Sequence, residues 1–149
     1  MKPDVPKVMM RSFERMLTHI APHLNAEYAV GSASVIGLMM FQTATEFDRA
    51  AENLVQENRA MRSLFADAVS QLETGALSAK LKEAADGDDP SVRVSDLEKT
   101  NESLSALLIE LHALVETLPE KAAREMEARI WAELVRAAEA RRLPHPMVG

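Results

Sequence analysis

The chain contains no cysteine, which removes disulfides, thiolate nucleophiles and cysteine-held metal from consideration and fits a cytoplasmic protein. Glycine is scarce, with five residues in 149, and neither Gly-x-x-x-x-Gly-Lys nor Gly-x-Gly-x-x-Gly occurs, so no phosphate-cradling loop is encoded. Aromatic residues make up only 4%, and no stretch shows the alternating β-branched pattern of a strand. Basic residues are outnumbered 17 to 23, for a net charge of −6. That balance argues against sequence-independent nucleic-acid binding, which depends on Lys and Arg neutralising phosphates. The N-terminal residues MKPDVPKVMMRSFERM interrupt every apolar run with charge, unlike a signal peptide. The uncharged run 29–41 falls short of the roughly 18–20 residues that cross hydrocarbon, so a buried helix, and no membrane span, is expected.

What remains is rich in Ala, Leu, Glu, Arg and Met, the strong helix formers. Residues 28–72 carry the dominant pattern. Val30, Ala33, Gly37, Met40, Ala44, Phe47, Ala51, Leu54, Asn58, Met61, Phe65, Ala68 and Leu72 recur at three- and four-residue spacing, the mark of one continuous helical stripe. A helix over residues 28–72 would be roughly 65–70 Å long, against a radius of gyration of about 15 Å for a compact domain of this size, and its expected bounds are about 26–73. Either it breaks near residues 42–45, where Thr43 and Thr45 precede Glu46 and Asp48 as capping boxes would, or it continues and another chain covers its overhang. The unbroken phase favours continuity.

The expected fold is all-α, a single domain over 1–149. It is an up-and-down bundle of four main helices, one of them overlong and followed by a short extra helix. Residues 1–6 and 143–149 read as loose termini. A first helix stops near Ile20 because Pro22 lacks an N–H, and Asn25 reads as the N-cap of the long helix. Gly75 ends that helix, a short helix includes Leu77, Leu81, Ala84 and Ala85, and residues 86–94 form an exposed acidic loop. Ser95 with Glu98, and Thr117 with Glu120, read as capping boxes for the third and fourth main helices.

No catalytic set emerges. A di-metal bundle needs Glu-x-x-His pairs, and none occurs; the expectation is no metal and no cofactor. Asp86 opens no calcium loop, since its sixth and twelfth positions are Ser91 and Leu97. His112 and Glu116 lie one turn apart and read as a rim pair. Asn58 is the single polar residue of the long stripe, where a buried amide fixes register or oligomeric state; pairing Leu72 with Leu97 in antiparallel helices places His112 beside it. Ala29, Ala33, Gly37 and Met40 read as a close-packing surface for a second copy. Met39, Met40, Met61 and Phe65 are the candidates for an apolar cavity that would take an acyl chain. The function these features suggest is a non-catalytic, homodimeric accessory or regulatory protein acting through its surfaces, with apolar-ligand binding as the alternative and an unrecognised enzyme third.

Overall fold

The computed structural model describes residues 3–144, which form an all-α chain. Five α-helices run in the order α1 (Val5–Arg15), α2 (Glu27–Gln71), α3 (Ser78–Asp86), α4 (Val94–Val115) and α5 (Lys121–Arg141). Short turns of other helix types lie at Met16–Ile20, Ala21–His23 and Gly75–Leu77. No helix among the described residues is long and apolar enough to cross a membrane. Two compact units divide the chain, Met1–Ala50 with Arg142–Gly149, and Ala51–Arg141; α2 contributes residues to both.

In the first unit, Asp4 caps α1 by accepting the Lys7 backbone N–H at 3.2 Å, with Pro6 pre-set for the first turn. The α-helical part ends at Arg15, and a π-turn over Met16–Ile20 completes the element. Pro22 explains the change, because in a regular α-helix its ring would clash with the Thr18 carbonyl. Helix α2 then starts with the Ala26 carbonyl accepting from Ala29 and Val30 at 2.9 and 3.1 Å, so Asn25 is not its cap. The break near residues 42–45 does not form. Thr43 and Thr45 donate their hydroxyls to the Met39 and Phe41 carbonyls of their own helix, at 2.8 and 3.1 Å, and cap nothing.

Helix α1 packs on the small-residue side of α2. A Cβ at Gly37 would stand 3.4 Å from Phe13 Cδ2 and 3.6 Å from Met16 Cγ, and the Phe13 and Phe41 rings meet with centroids 5.5 Å apart. Ala33, Gly37 and Ala44 are the buried residues of this part of α2.

The second unit holds the hydrophobic core. Met61, Leu64, Phe65 and Ala68 of α2 meet Leu81 of α3, Leu104, Leu108, Leu111 and Val115 of α4, and Ala123, Met126 and Ile130 of α5. Each set keeps the 3,4 spacing that turns one face of a helix inward. Two of the expected caps are replaced. At α4 neither Ser95 nor Glu98 caps; Ser91 Oγ accepts the Arg93 N–H at 3.1 Å and donates to Asp96 at 2.6 Å, closing the first turn. Thr117 returns its hydroxyl to the Leu114 carbonyl at 2.7 Å, finishing α4 instead of starting α5. Pro119 occupies the turn between them.

Candidate functional site

Asn58 is fully buried in the second unit. Its amide donates to Asp89 Oδ1 at 2.9 Å and to the Leu97 carbonyl at 3.4 Å, while its oxygen accepts from Asn101 Nδ2 at 3.0 Å. The partner is therefore not His112. The segment from Gly75 through the acidic loop returns the chain along α2, so Asn58 faces the first turns of α4 and not its end. This also corrects the reading of the loop as wholly solvated, since Asp89 turns inward and accepts from Arg62 at 3.0 Å as well. Beside Asn58, the buried Glu57 carboxylate accepts from Arg141 at 2.7 and 2.5 Å and from Asn101 at 3.2 Å. A buried charge persists only when paired and hydrogen-bonded in this way. The network joins α2, the acidic loop, α4 and α5, with the Arg62 Nε left unpartnered.

His112 lies on another side of the unit, in the last turns of α4. Its ring meets Trp131 of α5 edge-on, with centroids 5.3 Å apart at 83°. Its Nε2 is buried without a hydrogen-bond partner and stands 3.8 Å from Glu116 Oε1, beyond hydrogen-bonding reach. Glu127, one turn before Trp131 on α5, brings a carboxylate to the same place, so that one donor atom from each of His112, Glu116 and Glu127 lies within 4.8 Å of the others. Sequence spacing displayed His112 and Glu116 as a pair. Glu127 was missed because only the turn around Pro119 folds α5 back against α4.

The four candidates for an apolar cavity are divided between the two units. Met61 and Phe65 are enclosed in the core of the second unit, whereas Met39 and Met40 belong to the first, with Met39 60% exposed. A cleft of about 550 Å³ in the first unit is lined by residues 3–7 with Phe47 and Asp48 and involves none of them.

The small-residue surface is also reassigned. Gly37 is covered by Phe13 and Met16 of the same chain and Ala33 is buried, so neither is free for a second copy. The large apolar residues left open on this part of α2 are Tyr28, Val30, Val35, Ile36, Leu38 and Met39. At roughly 100° per residue, Val35 and Met39 project from nearly the opposite side of the helix to Gly37. No family of known proteins, no curated protein and no solved structure matches the chain.

Proposed function

We propose that the protein is a non-catalytic helical-bundle protein that acts through its surfaces, self-associating through the open side of α2 and serving as an accessory or regulatory partner of another protein. The observation that carries this reading is the exposure of Val35 and Met39, at 59% and 60%, on the side of α2 facing away from α1. Monomeric proteins rarely leave such side chains grouped. Tyr28, Val35, Leu38 and Met39 recur at the seven- and three- to four-residue spacing of a helix-pairing seam.

A second copy of the chain is the occupant that fits. Each copy carries a net charge of −6, so an isologous contact must avoid setting carboxylates against their own symmetry mates. Between Glu27 and Glu46 the sequence has no charged residue, and two such segments can cross without like-charge repulsion. Burying a Val, Leu or Met side chain contributes about 1.5–3 kcal/mol, and an isologous interface buries each one twice.

The test is the double variant Val35→Glu, Met39→Glu, followed by sedimentation and circular dichroism. The expected result is a helical monomer from a wild type that is dimeric at micromolar concentration. A wild type that stays monomeric, or a variant that stays dimeric, overturns the reading.

A further inference from the structure

We infer that His112, Glu116 and Glu127 form a binding site for a divalent first-row transition ion, zinc being the simplest occupant, with one or more coordination positions open to solvent. The inference is independent of self-association, because all three residues lie in the second unit.

Three observations converge. First, donor type: one imidazole nitrogen and two carboxylate oxygens suit borderline divalent ions. Second, spacing: ligand bonds of about 2.0–2.2 Å in tetrahedral geometry hold donor atoms roughly 3.3–3.6 Å apart. The His112 Nε2 to Glu116 Oε1 separation of 3.8 Å is close to that value while too long for a hydrogen bond, and Glu127 completes a set within 4.8 Å. Third, an unmet need: the buried Nε2 has no hydrogen-bond partner, and a buried polar nitrogen left alone is destabilising. A metal ion removes that cost, and it also balances two carboxylates that converge on one point. Among the described residues Glu127 makes no ion pair or hydrogen bond that would compete.

The scaffold is suited to holding the donors still. Glu116 is the C-cap of α4, one turn beyond His112, and Glu127 shares a face of α5 with Trp131 at i, i+4. Trp131 packs edge-on against the imidazole and fixes its plane. It also provides the readout, as the only tryptophan of the chain.

The experiment titrates the full-length protein with Cu²⁺, whose unpaired electron quenches nearby indole fluorescence, and then adds Zn²⁺, which does not quench, in large excess because copper binds such a site more tightly. The expected result is saturable quenching of Trp131 at one equivalent, reversed by Zn²⁺ and by a chelator, with Zn²⁺ alone raising the melting temperature. Glu127→Gln should weaken the apparent affinity on the order of tenfold or more, and His112→Gln should abolish the response. Metal-free circular dichroism of each variant verifies folding, and should His112→Gln disturb the fold, Glu127→Gln carries the same test. Quenching that does not saturate, that Zn²⁺ leaves unchanged, or that is equal in Glu127→Gln and wild type overturns the site.

Discussion

Phe47 and Phe65 fall on the same three- and four-residue stripe of the sequence, eighteen residues apart, one in each unit. Phe65 is completely enclosed and Phe47 is 56% exposed. Identical phase gives opposite environments because burial depends on what returns to cover the stripe. In the second unit α3, α4 and α5 supply apolar faces against Phe65. In the first unit Phe13 of α1 meets α2 at Gly37 and Phe41, and Phe47 and Val30 stay open. Periodicity states which side of a helix is meant for burial; the number of neighbouring elements decides how much of it is buried.

The contrast is sharpened most strongly by cutting one aromatic from each unit. Phe65→Ala should cost about 3–5 kcal/mol in urea denaturation, as removal of an enclosed ring does, whereas Phe13→Ala, which removes a half-buried ring, should cost clearly less. Equal losses would break the distinction between a filled core and a thin cover. Asn58→Leu comes next. It leaves Asp89 and Asn101 short of partners in the interior, and a loss of about 1–3 kcal/mol is expected, with no gain in stability and no change of stoichiometry. Gly37→Leu, on the other unit, forces Phe13 and Met16 away and should cost about 1–3 kcal/mol by overpacking. Its effect belongs in the contacts of α1, read by protection of the α1 amides, and the core of the second unit should be unaffected.

The smallest effect concerns pH. The Lys7 side chain, and then its backbone N–H, hold the Asp4 carboxyl below its ordinary value of 3.8. A carboxyl depressed in the folded state contributes stability above its ordinary value and loses that contribution as the pH falls through the folded one. Acidification should therefore fray the first turn of α1 before it affects the second unit, and Asp4→Ala should remove that pH dependence while leaving the core transition in place.

Much of this architecture was legible in the sequence. The 3,4 pattern through α2 is read directly from Ala33 to Ala68, and continuity holds because Thr43 and Thr45 satisfy their hydroxyls within the helix. Asn58 was identifiable as the one polar interruption of a stripe. Its partners were not, because register depends on how far the segment after Gly75 travels back along α2, and no local pattern encodes that distance. Capping was misread for a related reason. Ser95 and Thr117 fit the spacing of a box, yet the start of α4 is held by Ser91, between the Arg93 N–H and Asp96, and the Thr117 hydroxyl turns back to the Leu114 carbonyl. Glu127 is one of several glutamates along α5, and nothing in one dimension distinguishes it until Trp131 and His112 are brought together.

The most direct test uses the absence of cysteine. Val35→Cys gives a single attachment point for a spin label on the open side of α2, and Ser103→Cys gives one on an exposed position of α4. Pairing of two copies through α2 would bring their axes to about 8–10 Å, so the Val35→Cys protein should show a short, well-defined interspin distance that dilution with unlabelled protein removes. The Ser103→Cys protein serves as the comparison and should show a longer separation. A Val35→Cys protein with no intermolecular dipolar signal at micromolar concentration would contradict the claim that a second copy covers this side of α2.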